Sequence, residues 1–538
     1  MMYHLGFTKN NSLLLRRILL ILLLLSFSSL ANESSKNVLL ITIDDLNAWV
    51  GNLNVHPLAK TPNIDKLAKR GVSFTNAHTA VPVCAASRAA LMSGVLPHKS
   101  GFYTNGDHQV NAHSVVKNRP HLTELFREKG YKTYGAGKIY HRWVTDDSDA
   151  FDDKTYDSYL PLDTVLPTDD MLVNGDGYKG YKFYPFPDNG TRIKRELNIN
   201  KGTSLTAGVV SRDKLPNGKM PDELIAEWGI NQLTQYAKNK PNKYAKQQPF
   251  YMALGFLRPH LPFAVPKKYF DMFPLSKIDL PKVDDMSDIP LYGKAMTMGS
   301  IPSGDHGAVL SLKGNWKELI QGYLASIAFI DEQVGRVLES LKLAGLDDNT
   351  IVILTSDHGQ NLGEKTNWRK MSLWEEATRI PLIISTPNNK NNGHKVSAAV
   401  SLIDIYPTLV SLTNLPPQER YDGQDLTPLL IDPLKEWDHP VLISWRYKNF
   451  AVRSNQYRYI RYRDGSEELY NHREDPLEQI NVVKYEENKE VVAKLKAYIP
   501  VKVALPYNKK EWQGDVLEKH IGNWQENGEP FWFELNKN

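Results

Sequence analysis

The sequence predicts an α/β protein: a large domain on a mixed, mostly parallel sheet flanked by helices, followed by a small antiparallel sheet with one helix. Three observations carry this. Apolar runs at 37–43, 249–256 and 350–355, the first and last rich in β-branched residues, read as buried strands. Amphipathic helical patterns separate them, the longest over 319–343, with Ile320, Tyr323, Leu324, Ile327, Ile330, Val334 and Leu338 on one face. From about 430 the strands turn short and alternating, with an Asp464-Gly465 hairpin signal and a last helix near 485–497.

The chain opens with Lys9, Arg16 and Arg17, a short apolar core over 18–25 and a small-x-small site at Ser29-Leu30-Ala31. This is the pattern of an export signal over 1–31, too short in its apolar part for a bilayer span. The expectation is an exported, periplasmic or secreted protein with no membrane attachment after cleavage. Residues 32–430 then form the large domain and 431–538 the smaller one. A formal net charge of +4, evenly spread over 538 residues, argues against nucleic-acid binding.

The first strand, 37–43, ends in Asp44-Asp45, and the strand at 350–355 is followed by Ser356-Asp357-His358-Gly359. Ligands bind at the carboxyl edge of such sheets, so two strands each ending in potential metal ligands point to a hard-cation site. A short strand starts at Val72-Ser73-Phe74 and leads to Cys84, the sole cysteine, which precedes Arg88 and a helical run ending at Gly94. A free cysteine is ordinarily a small buried hydrophobe; at a helix N-terminus beside an arginine it is also a reactive centre. The strand at 131–134 runs into Gly135-Ala136-Gly137-Lys138-Ile139-Tyr140-His141, and that at 249–256 into Arg258-Pro259-His260-Leu261-Pro262-Phe263. Lys370 follows in Asn367-Trp368-Arg369-Lys370, a short loop after His358. Two stretches, about 144–220 and 264–315, read as long loops, the first rich in Tyr178, Tyr181, Phe183, Tyr184 and Phe186. Residues 400–412, with Asp404 and Tyr406, read as a helix. Thiolate and hard carboxylates make a discordant ligand set, which becomes consistent if Cys84 presents oxygen.

These motifs resemble the type I, formylglycine-dependent sulfatases of the alkaline-phosphatase-like superfamily. Cys84-Ala85-Ala86-Ser87-Arg88 matches the family's Cys-x-(Pro/Ala)-x-Arg, with Ala86 where proline is common, and Gly94 with Pro97-His98-x-x-Gly101 fits as well. The Gly137–His141, Arg258–Phe263 and Ser356–Gly359 stretches give a particular likeness to iduronate-2-sulfatases. The resemblance implies that a formylglycine-generating enzyme converts Cys84 to formylglycine (3-oxoalanine), whose hydrate attacks the sulfur of a sulfate ester. It implies a Ca²⁺ held by Asp44, Asp45, Asp357, His358 and the oxygen at position 84, with His358 the less usual member because calcium rarely takes imidazole. Arg88 would hold the nucleophile, Lys138 and Lys370 the sulfate oxygens, His260 would protonate the leaving group and His141 assist the second step. The implied substrate is a sulfated polysaccharide or oligosaccharide, such as ulvan, carrageenan or a glycosaminoglycan. The competing readings are a phosphomonoester or phosphonate hydrolase on the same fold, and a non-catalytic glycan-binding protein with unmodified Cys84.

Overall fold

The computed structural model describes residues 35–105, 120–141, 155–165, 189–193, 205–239, 247–282, 285–298, 305–311, 315–417, 421–506, 516–530 and 533. The signal segment at 1–31 and the aromatic residues at 178–186 lie outside them. The main sheet contains β1 (Asn37–Ile43), β2 (Val72–His78), β3 (Lys132–Gly137), β4 (Ser158–Leu160), β5 (Phe250–Phe256), β6 (Thr350–Ser356), β7 (Arg379–Ser385) and β8 (Lys395–Ser401). Its order is β8-β2-β7-β6-β1-β5-β3-β4. Only β7 runs antiparallel to its neighbours.

The strand period explains how one apolar run serves two cores. Leu39, Ile41 and Ile43 of β1 face a cluster built with α3 (Pro221–Lys238, with α1 at Pro62–Lys69 and α2 at Cys84–Ser93 before it) and the long α4 (Asn315–Leu343). Val38 and Leu40 face the opposite cluster, with Leu91 and Met92 of α2 and Leu402, Ile405 and Leu409. The seven α4 residues of the apolar stripe are all buried, and each fully buried side chain of this kind contributes about 1.5–3 kcal/mol.

Sequence expectations give way in three places. Val400 and Ser401 end strand β8, and the helix begins only at Ile405, after a short 3₁₀ turn. The strand begun at Val72 continues to His78. Within the stretches read as loop, Leu205–Val209 pairs with Asn189–Ile193 and Phe263–Val265, and helices form at Leu291–Thr297 and Asp305–Ser311.

The second sheet is antiparallel, β9 (Val441–Ser444), β10 (Phe450–Arg453), β11 (Tyr457–Arg461) and β12 (Glu467–Asn471) in that order. The helix Lys489–Lys496 buries Leu495 beside Tyr459 and Leu469 of this sheet. The sheet is fastened to the large domain close to the predicted site. Ser444 N–H donates to the Ala80 carbonyl at 2.9 Å, and Trp374 Nε1–H to Glu468 at 2.9 Å. Glu375 accepts from Arg453 Nε at 3.1 Å and from Arg458 Nη2 at 2.5 Å, all three side chains buried.

Candidate active site

The register of the parallel strands assembles the site. Ile43 of β1 lies opposite Ser356 of β6 and Phe256 of β5, so Asp44-Asp45 and Asp357-His358 leave the sheet side by side. Gly137 of β3 lies opposite Gly255 of β5. A Cβ at Gly255 would stand 2.1 Å from the Lys138 carbonyl oxygen, and Gly137 has φ +74°. Glycine at both positions lets the two backbones close up and brings Lys138 over Asp44.

The ten residues singled out in the sequence converge. Cys84 occupies the first turn of α2 with no exposed surface. Arg88, one turn on, donates from Nε to Asp357 Oδ2 at 2.9 Å and from Nη2 to Asp44 Oδ1 at 3.2 Å. Its Nη1 donates to the Lys138 carbonyl. Lys138 Nζ meets Asp44 Oδ2 at 2.5 Å, and Lys370 Nζ meets both Asp45 oxygens at 2.6 and 2.8 Å. His260 Nδ1–H donates to the Leu261 carbonyl, leaving Nε2 3.9 Å from Asp45 Oδ2; 13% of this side chain is exposed. His358 Nδ1–H donates to the Gly359 carbonyl at 3.0 Å. Its Nε2 faces Cys84 Sγ at 3.1 Å, Asp45 Oδ1 at 3.5 Å and Asp357 Oδ2 at 3.6 Å. His141 completes the ring with a hydrogen bond to Cys84.

The electrostatics follow from packing three carboxylates and three permanent cations in a water-poor space. Burial opposes charge on Asp44, but Lys138, His260 and Arg88 together outweigh it and hold the carboxyl well below its usual range. Burial raises Asp357 to about 7 against the pull of Arg88. The Cys84 thiol, which burial alone would push up, is brought well below its ordinary value by Lys138, Lys370 and His358. Burial and Lys138 lower His141 to about 4, so its ring is neutral and able to accept a proton. Burial disfavours charge on His358 too, yet Asp357 and Cys84 lift it to about 9. A cation among these carboxylates would take the place of that imidazole proton.

Ligand atoms of Asp44, Cys84, Asp357 and His358 lie within 4.8 Å of one another, as do those of Asp44, Asp45, Cys84 and His260. The carboxylates suit a hard divalent cation; the sulfur is the most discordant member, and imidazole is a less usual partner for such an ion. Glu375, His472 and Glu478 are also close enough to share an ion, but Arg453 and Arg458 already neutralise them.

Several supporting residues have roles that the sequence did not assign to them. Asn105 Oδ1 accepts the Ala85 N–H at 2.9 Å beside the nucleophile position, and Ser87 Oγ–H donates to the Asp357 carbonyl. Tyr323 hydrogen-bonds the backbone around Asp45. Arg258 donates to the Ala264 and His260 carbonyls at 3.1 and 3.2 Å and so holds the loop of His260.

Comparison with known proteins agrees with this geometry. Residues 36–415 match the sulfatase family, and residues 363–503 match the C-terminal region of N-sulphoglucosamine sulphohydrolase. A sulfatase of Formosa agariphila is 36% identical over 86% of this chain and 86% of its own. Human iduronate 2-sulfatase is 30% identical over 70% of this chain and 69% of its own. The ulvan-active sulfatase of Formosa agariphila is 26% identical over 83% and 77%. Among solved structures, the phosphonate monoester hydrolase of Agrobacterium radiobacter superposes with a TM-score of 0.67 at 22% identity, over 86% of this chain and 94% of that one. A 2-O GAG sulfatase gives 0.63 at 23% identity, over 86% and 91%. These two likenesses establish an alkaline-phosphatase-like fold, and the family match establishes the chemistry: the chain belongs to the sulfatase family and is a sulfuric ester hydrolase.

Proposed function

We propose that the chain is an exported sulfatase of sulfated saccharides, with Cys84 maturing to formylglycine and Asp44, Asp45, Asp357 and His358 holding Ca²⁺. The observation that carries this reading is the placement of Cys84. It is fully buried among Lys138, Lys370, His358 and His141, with carboxylates beside it. A thiol is the member that suits a hard ion least, and an oxygen at the same place would suit it. Three carboxylates balance Arg88, Lys138 and Lys370, so a divalent ion with a monoanionic sulfate ester leaves one net positive charge, which favours the negative charge that builds up on the leaving oxygen. When bound, Ca²⁺ supplies Lewis acidity to a sulfate oxygen, and the matured residue 84 supplies an oxygen nucleophile.

The chain's own residues do the rest. Lys138 and Lys370, now on Asp44 and Asp45, turn to the sulfate oxygens as point charges. Arg88, fixed by Asp44 and Asp357, keeps residue 84 in register. His260 delivers a proton from Nε2 to the leaving ester oxygen, its ring held by the Nδ1–H bond to Leu261. Neutral His141 takes a proton at residue 84. We place the catalytic part within 32–430 and assign 431–538 a supporting role in substrate selection, since its sheet is tied to residues flanking Cys84 and Lys370. The saccharide assignment draws on the relatives, which include an ulvan-active sulfatase, iduronate 2-sulfatase and a 2-O GAG sulfatase. No helix among the described residues is long and apolar enough to cross a membrane.

The test pairs mass spectrometry of the Cys84 peptide with activity on matched sulfate and phosphate esters and on sulfated oligosaccharides. The aldehyde at residue 84 and preferential release of sulfate from sugar are expected. An intact thiol in fully active protein would reject the formylglycine route. Preference for phosphate would favour the phosphonate or phosphomonoester hydrolase reading, whose tetrahedral oxyanion fits the same cations.

A further inference from the structure

Asp45 is where the parts of the site meet. Its carboxylate holds Lys370 and faces His260 and His358, and its main-chain N–H donates to Asp357 Oδ1 at 3.2 Å. It does so with φ +62°, in the left-handed region that a side chain with a Cβ rarely occupies. Such a conformation persists only where the surroundings over-determine it.

From this geometry we infer that Tyr323 is a positioning residue for the cation site, its hydroxyl acting as a clamp on the Asp45 turn. The Tyr323 O–H donates to the Asp45 carbonyl at 2.7 Å and accepts the Asn47 N–H at 3.0 Å. One group thus satisfies the acceptor of the left-handed residue and a donor two residues on. Tyr323 comes from the third turn of α4, 278 residues away, and has no exposed surface. Its ring is fixed by edge contacts to Trp49 and Phe263, with centroids 5.5 and 5.3 Å apart. Asn47 locks the far side of the turn, accepting from Trp49 N–H and donating from Nδ2 to the Gln360 carbonyl, each at 3.0 Å. Without the hydroxyl, a buried carbonyl and a buried N–H lose their partners, and the turn gains nothing in its left-handed form. The carboxylate it carries would then leave its place among Asp44, Asp357 and His358.

The inference rests on the reading that Asp45 helps hold Ca²⁺. The experiment is calorimetric titration of chelator-stripped protein with Ca²⁺, for wild type, Tyr323→Phe, Asn47→Ala and Asp45→Asn, beside Tm with and without Ca²⁺ and kinetics on an aryl sulfate. Groups that orient ligands without touching the ion are commonly worth about 10- to 100-fold in metal affinity, and a loss in that range is expected for Tyr323→Phe. Its kcat/KM should fall at limiting Ca²⁺ and recover at excess. Asn47→Ala attacks the same turn from the other side and should also weaken Ca²⁺; it keeps the question open to test if Tyr323→Phe does not fold. An affinity within about twofold of wild type for both variants, with only Tm lowered, overturns the inference, since a merely structural hydroxyl behaves that way. If Asp45→Asn itself leaves Ca²⁺ affinity unchanged, the underlying ligand assignment fails instead. If Asp45→Asn abolishes binding and Tyr323→Phe does not weaken it, the assignment stands and the clamp falls.

Discussion

The main-chain N–H of Met371 donates to the carbonyl of Pro82 at 3.1 Å, joining the turn that carries Lys370 to the turn that carries Cys84. The Lys370 side of this junction is strained: Lys365, Thr366, Arg369 and Met371 all have positive φ without being glycine. Left-handed residues in such numbers need external anchors. Arg369 supplies one through its 2.9 Å ion pair with Asp305, and Trp368 another through His306 at 3.2 Å.

Replacing Asp305 by Asn should therefore be felt at Lys370. Steady-state kinetics on an aryl sulfate should show KM raised about tenfold with Tm little changed. In a Lys370→Ala background the same change should add nothing, because both act through one ammonium. Losses that simply multiply would show that Asp305 acts elsewhere.

Gly255→Ala is expected to harm catalysis from within the sheet. The new methyl would stand 2.1 Å from the Lys138 carbonyl oxygen, so the end of β3 must shift. Overpacking costs about 1–3 kcal/mol, and a displacement of about 1 Å at a reacting group costs about 100-fold in rate. Denaturant unfolding and kcat/KM together would check both figures; unchanged kinetics would mean that Lys138 needs no such placement.

Glu375→Gln should loosen the second sheet. Arg453 and Arg458 would be left buried with half their countercharge. Breaking such a pair costs about 3–5 kcal/mol. Burial opposes the charge on Glu375, but Arg453 and the neighbouring cations hold its carboxyl well below 4.5. A depressed folded-state pKa stabilises above the unfolded value and is lost as pH falls. Acid unfolding below about pH 4.5 should thus steepen in wild type and lose part of its slope in the variant.

Asp404 has the opposite sign. Burial lifts it to about 7, against hydrogen bonds from the Gln424 and Ser401 N–H groups, each at 2.7 Å. A raised folded-state pKa means the folded chain binds the proton more tightly. That stability is complete below 3.8 and declines as pH rises through about 7. Thermal melts between about pH 5 and 8 should show the decline, and Asp404→Asn should flatten it whatever it does to absolute Tm.

The legible parts of this protein are those where strand chemistry and site chemistry coincide. Asp44, Asp45, Asp357 and His358 could be read because each pair directly follows a fully apolar strand, and parallel register does the rest. Strand β8 escaped because its outer half alternates exposed and buried residues and its inner half, Ala398-Ala399-Val400, runs on into the apolar residues of the next helix. Leu291–Thr297 and Asp305–Ser311 are too short for a helical period to register. Tyr323 was visible only as one more apolar-face residue of α4; nothing local distinguishes a ring that packs from a ring whose hydroxyl reaches a strained turn. The Arg369–Asp305 and Glu375–Arg453–Arg458 contacts likewise join segments that no sequence pattern relates.

Cys84 has no exposed surface; Arg88, one turn on in the same helix, and Lys138 and Asp357, from two separate strand ends, close around it. Another macromolecule can reach such a side chain only while the chain is still unfolded. Any enzymatic alteration of residue 84 is thus an event of biosynthesis, finished before the sheet forms. Under the proposed maturation, a purified preparation would carry whatever proportion of altered chains its host produced, and its specific activity would be a record of where it was made.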